Sequence, residues 1–135
     1  MTTKPRQRIL VIEDDEALVK LLRSILELAG YEVHAVRCGT TALDCVTDAQ
    51  PALVILDLGL PDMNGYEVSR KLRQFFHPWS LPILMLTGMD KPVDQLRGFA
   101  SGADAYLTKP CDPTELLKTV AMLLGQPDTE LSGTG

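Results

Sequence analysis

Short apolar runs that end in polar residues constrain the fold of this chain more than any other feature. The run over residues 53–56 ends at Asp57, and the run over residues 9–12 ends at Glu13 and Asp14. Four consecutive apolar residues, several of them β-branched, are typical of a strand that is buried on both faces. Such strands occur in parallel sheets covered by helices on both sides, so the chain is predicted to be an α/β protein.

Three more strands and five helices are predicted along the chain. The strands cover residues 32–36, 82–86 and 103–107, and apolar residues recur at helical spacing after every strand. Five strands that alternate with five helices form a doubly wound sandwich, because right-handed crossovers place helices on both faces of one parallel sheet. A length of 135 residues suits a single domain.

The polar residues that follow the strands form the candidate functional site. Parallel strands end at the same edge of a sheet, and ligands of open α/β proteins bind at that edge. The edge is expected to gather Glu13, Asp14, Asp57, Thr87 and Lys109. Three crowded acids raise one another's pKa and repel anions, so the cluster favours a bound cation. Mg²⁺ suits these oxygen ligands best.

Asp57 is the candidate nucleophile of this site. Lys109 can supply a compact positive charge to phosphoryl oxygens, and the Thr87 hydroxyl can donate a hydrogen bond to another of them. A carboxylate, a cation site, an ammonium and a hydroxyl together suit phosphoryl transfer with Asp as the covalent acceptor. A strand-end Asp that only caps a turn is the alternative.

Four short motifs cover the ends of four of the predicted strands. They are Ile9-Leu10-Val11-Ile12-Glu13-Asp14, Asp57-Leu58-Gly59-Leu60-Pro61, Leu86-Thr87-Gly88 and Asp104-Ala105-Tyr106-Leu107-Thr108-Lys109-Pro110. With these motifs, residues 8–124 resemble a receiver domain of the two-component response-regulator family. The resemblance implies a flavodoxin-like fold with strand order 2-1-3-4-5 and a cis peptide bond before Pro110.

The resemblance also implies roles for the residues at the sheet edge. Asp57 would accept a phosphoryl group from the phosphohistidine of a sensor histidine kinase or from a phosphotransfer protein. Asp14, Asp57 and the backbone carbonyl of Gly59 would bind Mg²⁺, with Glu13 acting through a water molecule. The chain would then be a signalling phosphoacceptor that assists its own phosphorylation and dephosphorylation, and not an enzyme.

Thr87 and Tyr106 are implied to form the activation switch. A phosphoryl group on Asp57 would draw the Thr87 hydroxyl inward, and the Tyr106 ring would turn from solvent toward the core. Such a group biases an equilibrium between two states through its contacts with Thr87. The face formed by residues 93–124 is therefore expected to bind a downstream protein partner or a second copy of the chain.

Several residues depart from the pattern of the family. Gly59 and Gly88 replace larger side chains beside the phosphoryl site, and Cys111 replaces a common Phe. Ala105 replaces an acid that the winged-helix, DNA-binding branch uses in dimer contacts. The other charges of that branch are only partly present, as Asp94, Arg97 and Lys118.

Composition and charge add further expectations. A net charge of −5 argues against direct binding of nucleic acid, because affinity for phosphate backbones comes from clustered Lys and Arg. No apolar run approaches the roughly 20 residues needed to span a bilayer, and no signal peptide is visible, so a cytoplasmic location without a membrane is expected. Residues 1–7 are expected to be a flexible arm, and residues 125–135 a flexible tail or linker stub.

Other interpretations share parts of the pattern. A flavodoxin-like FMN binder would need backbone and hydroxyl donors where this chain has Glu13 and Asp14. An aspartate-nucleophile phosphatase would need a second acid at Gly59. A pseudo-receiver binds partners without phosphorylation, and a receiver can also be the N-terminal part of a longer regulator with an output domain.

Apart from the site, Trp79 is expected to fold back over the end of the preceding helix.

Overall fold

The computed structural model describes residues 6–125 and consists of five strands that alternate with five helices. The expected arm and tail therefore lie outside the described residues, except for residues 6, 7 and 125. Among the residues described, no helix is long and apolar enough to cross a membrane. In chain order the elements are β1 (Arg8–Ile12), α1 (Glu16–Leu28), β2 (Glu32–Val36), α2 (Gly39–Ala49), β3 (Leu53–Leu56), α3 (Gly65–Phe75), β4 (Ile83–Thr87), α4 (Pro92–Ala100), β5 (Ala105–Thr108) and α5 (Pro113–Leu123).

The strands form one parallel sheet in the order β2-β1-β3-β4-β5, which confirms the expected fold. Ile12 at the end of β1 pairs with both Val36 and Leu56, and Thr87 at the end of β4 pairs with Thr108. The strands β1, β2 and β3 therefore end level with one another, as do β4 and β5, whereas β4 continues for two residues past Met85, the partner of Leu56. The residues that follow them share one edge of the sheet, as the sequence predicted.

The last two strands begin one and two residues later than predicted, at Ile83 and Ala105. Pro82 has no N–H group to donate to a neighbouring strand, and it contributes only its carbonyl, which accepts a hydrogen bond from the Val54 N–H of β3 at 3.0 Å. Ala103 instead closes the turn after α4, where its N–H donates to the Gly98 carbonyl at 3.1 Å and Gly102 adopts a φ of +112°. A positive φ of this kind favours glycine.

The core has two apolar layers, one on each face of the sheet. One layer contains Leu10, Leu56 and Met85 under α2 and α3, and the other contains Val11 and Ile55 under α1 and α5. Successive strand residues point to opposite faces, so a strand covered on both sides is apolar at every position. Each fully buried Leu, Ile or Val contributes roughly 1.5–3 kcal/mol relative to an exposed one.

Polar caps fix the start of three helices at the edge that carries the site. Asp15 caps α1, Asn64 caps α3 and Asp112 caps α5, each accepting hydrogen bonds from backbone N–H groups in the first turn. Such caps satisfy donors that have no partner inside the helix. The start of α2 differs, because the Cys38 side chain accepts no capping hydrogen bond from a backbone N–H group there.

The α4 helix presents its apolar residues outward. Asp94 and Gly98 are its buried residues, whereas Val93, Leu96 and Phe99 are 55%, 69% and 48% exposed. Helical spacing predicted the helix, but it did not show which side faces the sheet. The result is an exposed apolar surface beside β5, of the kind that marks contact sites in soluble proteins.

The prediction for Trp79 is wrong. The side chain is 81% exposed and stacks on His77, with ring centroids 4.5 Å apart and planes 9° apart. The helix ends at Phe75, and a turn follows in which the N–H groups of Ser80 and Leu81 donate to the His77 carbonyl. The two rings of this turn stack on each other, so Trp79 does not cover the helix.

Candidate functional site

Three carboxylates meet at the carboxyl edge of the sheet. Glu13, Asp14 and Asp57 each offer an oxygen atom, and these atoms lie within 4.8 Å of one another. Glu13 and Asp57 are buried, and Asp14 is exposed. The neighbouring strands β1 and β3 bring them together, because the Asp57 N–H donates to the Ile12 carbonyl at 3.0 Å. The expected convergence of the three acids is present.

Lys109 extends into this cluster from the end of β5. Its Nζ donates to Glu13 Oε1 at 2.7 Å and lies 3.6 Å from Asp57 Oδ1. The Lys109 backbone N–H donates to the Thr87 carbonyl at 2.8 Å, and the Lys109–Pro110 peptide bond is cis, as the resemblance implied. The ammonium is thus held beside the carboxylates of Glu13 and Asp57.

Burial and charge act in opposite directions on this ion pair. The pKa of Glu13 is raised, mainly because the carboxyl group is buried and also because the charge of Asp57 lies nearby. The hydrogen bonds from Lys109 and from the Asp15 N–H lower this pKa, but they do not cancel the rise. Burial alone would lower the pKa of Lys109, but the hydrogen bond to Glu13 and the charges of Asp57 and Glu13 outweigh it and raise that pKa. The ammonium therefore stays charged, and the carboxylates of Glu13 and Asp57 face it.

The arrangement fits a hard divalent cation. All three side chains supply oxygen atoms close enough to share one ion, and the exposed Asp14 gives access from solvent. A Cβ atom on Gly59 would lie 3.8 Å from Asp57 Oδ2, so the Gly59 backbone lies beside the same carboxylate. Oxygen ligands of this type suit Mg²⁺, whereas zinc sites are built mainly from Cys and His.

Thr87 and Tyr106 are connected through Met89. Thr87 is 2% exposed, and its hydroxyl oxygen accepts a hydrogen bond from the Met89 N–H at 3.3 Å. The Tyr106 hydroxyl donates to the Met89 carbonyl at 2.6 Å. Burial raises the pKa of Tyr106 to about 12, so this donor is protonated at neutral pH. The resemblance implied a link between Thr87 and Tyr106, and Met89 is the residue that the sequence did not indicate between them.

Two of the three charges shared with the DNA-binding branch, Asp94 and Arg97, make contacts within the chain. Asp94 is buried and accepts a hydrogen bond from the Lys91 N–H at 3.2 Å at the start of α4. The Arg97 guanidinium lies 4.4 Å from the centroid of the Tyr66 ring, and the Tyr66 hydroxyl donates to the Asp94 carbonyl at 3.2 Å. These contacts anchor α4 to the start of α3.

Sequence reasoning missed Asp62 and Arg73. Asp62 lies in the loop after Asp57, and it accepts hydrogen bonds from the first residues of α2. Arg73 lies on α3 and binds Asp104, a residue quoted in the last sequence motif without a role. A turn-forming Asp and a helical Arg are visible in the sequence, but their partners lie 23 and 31 residues away.

Comparison with known proteins agrees with this geometry. The response regulator receiver domain family matches residues 9–121. The BeF3-activated N-terminal receiver domain of RstA from Klebsiella pneumoniae superimposes with a TM-score of 0.84 at 28% identity, covering 89% of this chain and 100% of that structure. The RpaA protein of Synechocystis is 42% identical over 121 residues, which are 90% of this chain and 50% of the relative. The MtrA protein of Mycobacterium tuberculosis is 43% identical over 125 residues, 93% of this chain and 54% of the relative.

These relatives correct the expectation of no nucleic-acid partner. RpaA is named as a DNA-binding dual master transcriptional regulator and MtrA as a DNA-binding response regulator. The chain spans about half the length of these curated relatives. The net charge of −5 describes the 135 residues of this chain alone, and the charge of one domain does not report on what another domain of a regulator binds. The matched family, the sheet topology and the relatives together show that the chain belongs to the response regulator receiver domain family.

Proposed function

We propose that this receiver is controlled by phosphorylation of Asp57, with the phosphohistidine of a sensor histidine kinase or phosphotransfer protein as donor. An Asp57 carboxylate oxygen would form the new P–O bond while the P–N bond of the donor breaks. The released electron pair would stay on the imidazole nitrogen of the donor. The chain would act as a phosphoacceptor in signalling and assist its own phosphorylation and dephosphorylation without being an enzyme.

The observation that carries the proposal is the acid cluster with Lys109 inside it. Asp14, Asp57 and the Gly59 carbonyl would hold Mg²⁺, with Glu13 acting through water. The ion would supply positive charge to the oxygens of the transferred group. Lys109 already lies 3.6 Å from Asp57 Oδ1, where it can neutralise another phosphoryl oxygen. Surplus negative charge would repel an approaching phosphoryl group, so the cation is needed before transfer.

Uptake of a phosphoryl group from a small donor tests the proposal. With Mg²⁺ and acetyl phosphate or phosphoramidate, we expect the chain to gain one labile phosphoryl group. Peptide mapping by mass spectrometry should locate it on Asp57, and EDTA should prevent its appearance because the acids then repel the donor. Equal uptake with EDTA would contradict the proposal. No uptake with Mg²⁺ would instead favour the phosphorylation-independent pseudo-receiver.

A phosphoryl group on Asp57 would act on the rest of the chain through Thr87. Its oxygens would accept a hydrogen bond from the Thr87 hydroxyl and draw it inward, away from the Met89 N–H that now donates to it, and Met89 also accepts the hydrogen bond of Tyr106. Movement of Met89 would therefore release the Tyr106 ring. The proposed output is a switched protein-interaction surface on the 93–124 face, where apolar side chains such as Leu96 are exposed.

Thr87→Ala should separate phosphorylation from this response. We expect the variant to accept a phosphoryl group, because Asp57 and the cation ligands are intact, but to lose most of the change in α4 and β5. Hydrogen exchange of these elements with and without beryllofluoride, a phosphoryl mimic, measures the response. Thr47→Ala, at an exposed position on α2, is the matched control. Identical changes in Thr87→Ala and the wild type would refute the coupling.

We also propose that residues 8–124 form the receiver unit of a longer regulator that acts on DNA through a separate output domain. The support is that the chain matches about half of RpaA and of MtrA, both named as DNA-binding.

A cytoplasmic location is proposed as well, because the three cysteines are free thiols, the state that the reducing cytoplasm maintains.

A further inference from the structure

We propose that Asp62 is a positioning residue for the Mg²⁺ site, because it ties the loop that carries Gly59 to the first turn of α2. This inference rests on the function proposed above. Asp62 is not the phosphoacceptor, a proposed metal ligand or a proposed switch residue. Asp62 is exposed and lies at the tip of the loop between β3 and α3.

The Asp62 carboxylate closes the start of α2. It accepts hydrogen bonds from the backbone N–H groups of Gly39 and Thr40, both at 2.8 Å, and from the Thr40 hydroxyl. The first N–H groups of a helix have no partner inside the helix, and the residue before the helix usually supplies one. Cys38 makes no such bond, so a residue of the phosphoacceptor loop caps this helix instead.

The contact is ionic in character at neutral pH. The hydroxyl of Thr40 and the N–H groups of Thr40 and Gly39 hold the pKa of Asp62 well below its usual range. A carboxylate that accepts several hydrogen bonds forms stronger contacts than a neutral acceptor does, and it also complements the positive end of the helix dipole. The loop tip is therefore fixed to α2 by charge-assisted bonds.

Packing supports the same attachment. A Cβ atom on Gly39 would lie 2.5 Å from Cγ of Met63 and 2.8 Å from Cγ2 of Val68. The Met63 side chain thus lies directly on the backbone at the start of α2, where a larger residue than glycine would collide with it. Asp62 and Met63 together hold the outer part of the loop against this helix.

The inner part of the loop carries the residues of the site. Gly59 pairs with Asn64 in an isolated antiparallel bridge, and the Gly65 N–H donates to the Leu58 carbonyl at 3.1 Å. Asp57 itself is bonded to β1 through its backbone N–H. Gly59 is therefore held from the Asn64 side, while residues 60–63 connect it to the point where Asp62 contacts α2. Release of that contact would allow the segment around Gly59 to sample other positions.

A mobile Gly59 carbonyl would have to be ordered each time a cation binds, which weakens binding. The effect must also act in the opposite direction, because coupling between two sites is reciprocal. Mg²⁺ bound by the site should therefore strengthen the cap on α2. The N–H groups of Gly39 and Thr40 should exchange more slowly when Mg²⁺ is added to the wild-type chain.

Asp62→Ala is the direct test, with Mg²⁺ itself as the probe and no phosphoryl donor present. We expect the dissociation constant for Mg²⁺, measured by calorimetric titration, to rise about fivefold to tenfold. In a separate incubation with acetyl phosphate at saturating Mg²⁺, phosphoryl uptake should stay close to that of the wild type. The Mg²⁺-dependent protection of the Gly39 and Thr40 N–H groups should disappear.

Two further variants separate positioning from loss of charge or of fold. Asp48→Ala removes the same charge from an exposed position on α2 and should change Mg²⁺ affinity by less than about twofold. Thr40→Val removes one hydrogen bond and keeps the Asp62 charge, so it should produce an intermediate shift. Unchanged Mg²⁺ affinity in Asp62→Ala, or equal shifts in Asp62→Ala and Asp48→Ala, would overturn the proposal. A wild-type chain that binds no Mg²⁺ would overturn the proposed function as well.

Discussion

Asp57→Asn is expected to abolish phosphoryl uptake from acetyl phosphate and from phosphoramidate. The amide that replaces the carboxylate is nearly the same size but has no negatively charged oxygen to attack phosphorus. The change also removes one of the three carboxylates that would attract Mg²⁺. Mass spectrometry of the intact chain after incubation with donor and Mg²⁺ measures the result. The variant should show no labile phosphoryl group under conditions that modify the wild type.

The fold of the Asp57→Asn variant should be intact. The negative charge of Asp57 raises the pKa of Glu13, because the two carboxylates repel each other. Loss of the Asp57 charge therefore relieves repulsion within the cluster. We therefore expect thermal unfolding at the same temperature as the wild type or slightly above it. Asp48→Asn, on an exposed position of α2, is the matched control and should take up phosphoryl groups normally. Uptake that persists in Asp57→Asn would assign the acceptor to another residue.

Arg73→Met is expected to lower the free energy of unfolding by about 3 kcal/mol. The guanidinium is largely buried between α3 and the turn before β5. It binds the Asp104 carboxylate and donates to the carbonyl of Gly102 at 2.9 Å and to that of Leu81 at 2.7 Å. Methionine fills similar volume but leaves the half-buried Asp104 carboxylate and the carbonyls that Arg73 contacts without this donor, which is costly. Urea unfolding measures the loss, and a marginally stable domain would show it clearly.

Matched variants identify the cause of that loss. Arg70→Met changes an exposed arginine one turn earlier on the same helix and should alter stability by no more than about 0.5 kcal/mol. Asp104→Asn combined with Arg73→Met removes the unpaired charge, so the double variant should be more stable than the sum of the single losses implies. Equal losses for Arg73→Met and Arg70→Met would mean that the buried pair adds nothing to stability.

The net charge of the chain was a poor guide to its partners, and the sequence around Trp79 was a poor guide to the exposure of that side chain. The net charge of −5 suggested no nucleic-acid partner, yet relatives with more than 40% identity are named as DNA-binding. Trp79 was expected to cover a helix end and is instead exposed beside His77. Composition averages over a chain, and one aromatic side chain can pack in several ways, so neither feature specifies a contact.

The sequence by itself determined the order of strands and helices and the residues at the functional edge. Continuous apolar runs of this length are typical of strands covered on both faces, and parallel strands end at one edge of a sheet, so Asp57 and Lys109 were expected at the same edge. The strand order and the individual roles came from the resemblance to the receiver family. These features depend on local patterns and on topology, which a sequence carries directly.

Only the tertiary structure decided the contacts that join distant segments. Asp62 caps a helix 23 residues before it, Arg73 binds an acid 31 residues after it, and Met89 connects Thr87 to Tyr106. Each contact needs two segments to approach within hydrogen-bond distance, and that approach depends on how helices pack on the sheet. The burial of Gly98 in place of the apolar residues of α4 has the same origin. Helical periodicity shows which residues share a face, but the packing of the whole fold determines which face is buried.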